Sequence, residues 1–248
     1  MAEGVELART ALAAGAVPDT VYVAADAAAD PAVADLAAAV ADRGLRLYEL
    51  APGVVDRVAD TVTPQPVLAV FPMLHRDLDA VAARQPGGTA GLVVVMVDVR
   101  DPGNAGTVLR TADAAGAAAV VCCGGTVDPY NPKTVRSSAG SLFHVPLVVA
   151  GSPDDTLDRL GRAGFRRLGT AVRGGDDYAA VDWTVPTALV LGNEAAGLPD
   201  GLPLDGTVGI PMAGRAESLN VGMACAVLCF EALRQRRTGP GRRPTMPR

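Results

Sequence analysis

The feature that most narrows the fold is a set of short, unbroken apolar runs: Leu92 to Val97, Leu147 to Ala150 and Ala188 to Leu191. Each is the size of one strand and apolar on both faces, so each needs cover above and below. Strands of a parallel sheet between two helix layers have that property. None of the runs approaches the roughly 18 uncharged apolar residues that a bilayer crossing requires. Strands are expected at 92–97, 118–122, 145–149, 166–171, 186–191 and 207–210. Helices are expected at 104–115, 154–163 and 218–236, alternating with the strands as an α/β chain requires.

The first ninety residues hold a smaller α/β pattern. Helices are expected over Glu3 to Ala14, Pro31 to Arg43 and Val54 to Ala59, and strands over Thr20 to Ala24, Leu45 to Leu50 and Pro66 to Phe71. Pro31 suits the first turn of its helix, where no backbone N–H is needed. Arg84-Gln-Pro-Gly-Gly-Thr89 has linker composition. The domains expected are therefore 1–86, a linker over 87–91, a second domain over 92–237, and a disordered tail over 238–248 rich in Pro, Gly and Arg. A chain of 248 residues with 49% hydrophobic and 20% charged side chains can offset its ordering entropy, which excludes global disorder.

Charge is unevenly distributed. Residues 1–90 carry 6 basic and 12 acidic side chains, residues 91–233 carry 10 and 15, and residues 234–248 carry 6 and none. An overall −5 argues against a broad nonspecific nucleic-acid surface and leaves room only for local arginine clusters. The start lacks a basic region followed by an apolar stretch, and four cysteines make no disulfide framework, so a cytoplasmic protein is expected.

Several chemistries lack their residues. No G-x-G-x-x-G follows a strand and no G-x-x-x-x-G-K-[ST] occurs. There is no G-x-S-x-G, and His75 and His144 are the only histidines. Cys122-Cys123 and Cys225-x-x-x-Cys229 do not have zinc spacing, so no metal site is expected.

Three segments at strand C-termini carry polar and glycine residues, the place where α/β sheets put ligands. The first, Asp98-Val-Arg-Asp-Pro-Gly-Asn104-Ala-Gly106, opens a helix that Asn104 is suited to cap, with Arg110 six residues further on. The second, Leu191-Gly192-Asn193-Glu194 followed by Gly197, ends a buried strand, and Gly192 permits close approach of a ligand or of another backbone. The third, Ile210-Pro-Met212 followed by Ser218-Leu219-Asn220, leads into a helix apolar almost all round, with Ser218 or Asn220 available as its cap. Singly, each is explained by a capped helix or a tight turn. Together they ask for more.

In order and internal spacing these segments, N-x-G-x-x-x-R-T-A, L-G-N-E-x-x-G-L and I-P-M…S-L-N-V, resemble the SpoU/TrmH family of RNA ribose 2′-O-methyltransferases, of the SPOUT class. The stretch from Asp128 to Gly140 is similar to the same family, and residues 1–86 more weakly resemble its ribosomal-protein-like substrate-binding domain. The resemblance implies an α/β fold whose C-terminal parallel-sheet domain carries a deep trefoil knot, a homodimer, and methyl transfer from S-adenosylmethionine to a ribose 2′-OH of rRNA or tRNA, rRNA favoured. It implies catalytic roles for Asn104, Arg110, Glu194, Ser218 and Asn220. It implies cofactor contacts at Thr170, Leu191, Gly192, Asn193, Gly197, Ile210, Met212, Ser218, Leu219 and Asn220, and RNA contacts at Arg110, Lys133 and Arg136. Gly222 stands where a serine is common, which implies a looser helix start. The rival expectation is a non-catalytic RNA-binding or ribosome-assembly protein that kept the fold; the intact set of five catalytic positions weighs against it.

Overall fold

The computed structural model describes residues 1–59, 61–83 and 91–238. The expected linker lies almost wholly outside the described residues, as does the tail beyond Thr238. Two sheets organise the rest.

The first sheet has strands β1 (Ala2–Glu3), β2 (Thr20–Ala24), β3 (Leu47–Leu50) and β4 (Val67–Val70) in the order β1-β4-β2-β3. β4 runs antiparallel to both neighbours, and β2 and β3 are parallel. Helices α1 (Val5–Ala13) and α2 (Pro31–Asp42) pack on it through Ala8, Val33, Leu36 and Val40. Asp30 starts α2 by accepting from the Ala32 amide at 2.8 Å, with Pro31 at the first helical position. The helix expected from Glu3 begins instead at Val5. Gly4 adopts φ +105°, and the two residues before it pair with β4, so the chain is a strand until glycine turns it. Short helices α3 (Val55–Val58) and α4 (Leu78–Ala82) follow.

The second sheet is parallel throughout. Its strands are β5 (Leu92–Met96), β6 (Ala119–Cys122), β7 (Leu147–Val149), β8 (Arg166–Thr170), β9 (Asp176–Asp177), β10 (Thr187–Leu191) and β11 (Gly206–Gly209), ordered β7-β6-β5-β10-β8-β11-β9. The unbroken apolar run of β5 divides between two cores. Leu92, Val94 and Met96 meet α5 (Pro102–Ala114) and α8 (Val221–Thr238) through Leu109 and Leu228. Val93, Val95 and Val97 face α7 (Pro153–Arg162) through Leu157 and Leu160. A sixth helix, α6 (Pro132–Ser137), lies against α5 and β1. Successive strands move outward from β5 to β7, then the order reverses through β10, so the strand order switches direction between β5 and β10.

The two sheets are braced together. The Leu74 amide donates to the Tyr130 hydroxyl at 2.9 Å, and the Arg76 amide to the Leu147 carbonyl at 2.7 Å. Arg136 pairs with the buried Glu3 carboxylate at 4.0 Å, and the Phe71 and Phe143 rings meet at 5.1 Å.

Candidate active site

Asn104 does not cap its helix. Asp101 does, its Oδ1 accepting from the Asn104 amide at 2.8 Å, with Pro102 at the first helical position. That shift places Asn104 inside the first turn and leaves its side chain available. Asn104 Nδ2 donates to Glu194 Oε1 at 2.9 Å, and Asn104 Oδ1 accepts from Asn220 Nδ2 at 2.8 Å. The three polar segments thus converge on one hydrogen-bonded chain, Glu194–Asn104–Asn220.

Glu194 also accepts from the backbone amides of Arg100 at 3.3 Å and Asp101 at 3.2 Å. Partial burial pushes its carboxyl up, but the Asn104 side chain and the backbone amides outweigh that and hold it below the ordinary carboxylate range. Asn220 Oδ1 accepts from the amides of Gly222 at 2.9 Å and Met223 at 3.4 Å, so Asn220 rather than Ser218 caps α8. The helix begins at Val221, three residues later than expected. Gly222 does not loosen this start. Its amide is capped, and a Cβ there would lie 2.8 Å from Thr107 Cγ2, so the missing side chain lets α8 close on α5.

The loop after β10 is tied to itself and to β5. Asn193 and Gly197 exchange two backbone hydrogen bonds of 2.9 Å, and Asn193 Nδ2 donates to the Asp98 carbonyl at 2.9 Å. Gly192 is required by backbone. A Cβ on it would stand 2.4 Å from the Gly197 carbonyl carbon and 2.5 Å from the Leu198 nitrogen. Of the two uses the sequence allowed for this glycine, close approach of another chain segment is the one its position requires.

These loops enclose a cavity of about 650 Å³. Thr170, Gly192, Asn193, Gly197, Ile210, Met212, Ser218 and Leu219 line it, and so does Glu194. Leu191 does not: it is fully buried within β10, because the last strand residue points into the core beneath the loop. Asn220 is likewise outside the lining, its side chain engaged by Asn104 and the α8 amides. Sequence reasoning missed Leu198, Leu204 and Leu228, apolar wall residues indistinguishable in sequence from core leucines.

The basic residues divide. Arg110 is exposed and makes no hydrogen bond or ion pair among the described residues. Six residues along a helix is a rise of about 9 Å and a rotation of about 120° from Asn104, so the two do not meet directly. Lys133, which follows the Asn131 cap of α6, stands 3.8 Å from Asp101. Arg136, expected at RNA, is engaged with Glu3, a partner 133 positions away that no local pattern could announce. The four cysteines are free and buried, and burial pushes the Cys122 thiol up to about 12 and Cys123 to about 11. Among the described residues no three His, Cys, Asp or Glu side chains gather as a metal site, and no helix is long and apolar enough to cross a membrane.

Residues 91–230 match the model of the SpoU rRNA Methylase family. The chain is 39% identical over 191 residues to the 23S rRNA (guanosine(2553)-2'-O)-methyltransferase RlmP of Bacillus subtilis, covering 76% of this chain and 73% of that protein. It is 40% identical over 183 residues to the 23S rRNA (uridine(2479)-2'-O)-methyltransferase of Streptomyces viridochromogenes, covering 71% and 62%. Among solved structures, the SpoU methyltransferase AviRb of Streptomyces viridochromogenes in complex with AdoMet superposes with a TM-score of 0.82 at 35% identity, covering 96% of this chain and 90% of that one. The AdoMet-bound rRNA methyltransferase of Sinorhizobium meliloti gives 0.80 at 35%, covering 94% and 86%. With a family match over more than half its length and relatives of this identity, the chain belongs to the SpoU rRNA methylase family.

Proposed function

We propose that this chain is an S-adenosylmethionine-dependent methyltransferase acting on a ribose 2′-OH of RNA, ribosomal RNA in the first place. The observation that carries this reading is the Glu194–Asn104–Asn220 chain at the rim of a cavity bounded by the loops after β10 and β11.

The cavity fits the cofactor. Its volume is in the range of small-molecule sites. Leu198, Leu204, Ile210 and Leu228 offer apolar walls to an adenine, while the loop backbones at Gly192, Ile210 and Leu219 offer main-chain groups for its polar edge. Asn193, Glu194 and Ser218 supply the polar portion. When bound, the cofactor supplies an electrophilic sulfonium methyl, leaving as a thioether once the methyl has moved to oxygen.

The protein's part is orientation and charge. Asn104, fixed between Glu194 and Asn220, retains one N–H and one lone pair with which to hold the ribose hydroxyl. Glu194 orients that amide, and a carboxyl held below its ordinary range is a poor proton acceptor at neutral pH. Arg110, exposed and unpaired among the described residues, binds the neighbouring phosphate and makes the hydroxyl more acidic; guanidiniums carry charge rather than accept protons. The hydroxyl proton passes to water at the exposed rim as the oxygen–methyl bond forms. Alignment of this kind contributes about 7–11 kcal/mol to such reactions.

The wider organisation follows from the same reading. Residues 1–86 form the substrate-binding unit, held to the catalytic sheet by the Tyr130 and Arg136 contacts. The C-terminal segment is threaded as a deep trefoil knot, for which support comes from α8 lying under the central strands against α5 rather than at an outer edge. Met223 and Phe230, seven residues apart on one side of α8, are 59% and 48% exposed and are the surface on which a second copy packs. The protein works in the cytoplasm, where its RNA is made. The deciding experiment is transfer of labelled methyl from S-adenosylmethionine to total ribosomal RNA and to tRNA, followed by nucleoside mapping. Absence of a 2′-O-methylated nucleoside from both RNAs would refute the reading and favour the non-catalytic RNA-binding alternative.

A further inference from the structure

Asp98, two residues past the end of β5, adopts φ +57°, a left-handed conformation rare for any residue but glycine and most tolerated by Asn and Asp. Its backbone is held there by Asn193 Nδ2, which donates to its carbonyl at 2.9 Å. Its side chain is boxed from a second direction: a Cβ on Gly125 would come within 2.8 Å of Asp98 Oδ1, so the carboxylate lies against bare glycine backbone. That fixed carboxylate accepts from Arg100 Nε at 2.9 Å. The Arg100 side chain is 72% exposed, and its two terminal amino groups have no partner among the described residues. Its own backbone amide donates to Glu194, one hydrogen bond from Asn104.

A surface arginine with a single exposed ion pair is ordinarily mobile. Here the partner's backbone is pinned by Asn193 and its carboxylate packs against Gly125, so the pair has a defined place at the rim of the catalytic chain. The arrangement spends Nε on aspartate and leaves the two terminal N–H groups as a fork, the geometry that grips a phosphate. Asp98, Asp101 and Glu194 also make this rim acidic, so an RNA strand reaching Asn104 needs a cation aimed at it.

We propose that Arg100 is an RNA-phosphate-binding residue of this site, and that Asp98 is the positioning residue that aims it at a phosphodiester beside the reacting ribose. This rests on the ribose methyltransferase reading above. The test uses the full chain with 23S rRNA transcribed in vitro, comparing wild type with Arg100→Ala, Arg100→Lys and Asp98→Gly. Glycine accepts φ +57°, so Asp98→Gly removes the carboxylate and keeps the backbone. Arg100→Ala is expected to raise KM for RNA about tenfold and to reduce the salt slope of RNA binding by about one, with S-adenosylmethionine affinity unchanged by calorimetry. Arg100→Lys should restore the salt slope but not KM. Asp98→Gly should keep the salt slope and cofactor affinity while raising KM. An Arg100→Ala variant with wild-type KM and slope, or one that loses cofactor affinity as well, overturns the proposal. A wild-type protein that binds cofactor and transfers no methyl defeats the underlying reading instead, a result separable from either.

Discussion

Replacing Gly192 by alanine adds one methyl group where the structure has no room. The added carbon would sit 2.4 Å from the Gly197 carbonyl carbon, about 1 Å inside ordinary contact, and the obstruction is main chain rather than a side chain that can rotate. The loop must open. Opening it breaks the reciprocal Asn193–Gly197 pair, at about 1 kcal/mol for each hydrogen bond, and overpacking adds about 1–3 kcal/mol. The sum, about 3–5 kcal/mol, corresponds to a fall in Tm of about 10 °C for a chain of this size. Because the displaced segment walls the cavity and carries Glu194, cofactor affinity should fall together with Tm. Thermal melting with and without S-adenosylmethionine reads both effects, and Gly197→Ala, at a glycine with φ +72° and open space around its Cβ, gives the comparison for backbone strain alone. A Gly192→Ala protein with a Tm within 2 °C of wild type on the scale of that shift, and unchanged affinity, would refute the reasoning.

Arg110→Ala should lose most methyl transfer while keeping cofactor affinity, and Arg110→Lys should recover little, since a point charge does not reproduce a planar fork; single-turnover kinetics beside calorimetry checks this. The Glu194 carboxyl lies below its ordinary value when folded, so what it contributes to the site is present above the unfolded pKa and disappears as pH falls through the lower folded one. Melting curves of wild type and Glu194→Gln should therefore differ at neutral pH and converge under acid conditions; a constant gap would count against the network. Met223→Asp or Phe230→Asp should convert the proposed dimer to a monomer by light scattering, because the exposed apolar side of α8 would then carry charge; a wild type that is itself monomeric would refute the dimer.

The parallel sheet was legible because its strands are buried on both faces and so read as unbroken apolar runs. β1 and β9, two residues each, were not: they exist through pairing with distant strands, and two residues carry no periodicity. α4 and α6 were missed as well, being too short for a helical repeat to stand out. At the site, the composition of the three loops was informative, but the bonds within them were not. Asn104 and Asp101 are both good caps, and Pro102 at the first helical position is the sequence signal that favours Asp101. Arg136, expected at RNA, also lies 4.0 Å from Glu3, a pairing across 133 positions that no local pattern announces. Strand-end Leu191 and loop residue Gly192 are sequence neighbours with opposite fates, one sealed in the core and one at the cavity wall.

The central strands β5 and β10 pair across about ninety residues of intervening chain, and the cavity takes its last wall from Ala224 and Leu228 on α8. Contacts of such sequence separation form late in folding. A nascent chain that has already released β5, α5 and α6 still has nowhere to place a cofactor, because Gly192, Ile210, Leu219 and Leu228 have yet to emerge. Proteolysis or premature termination before α8 removes that wall and also uncovers the Leu92, Val94, Met96 and Leu109 core, leaving the enzyme silent. Completion of the polypeptide is itself the checkpoint on activity, and an unfinished copy cannot mark RNA.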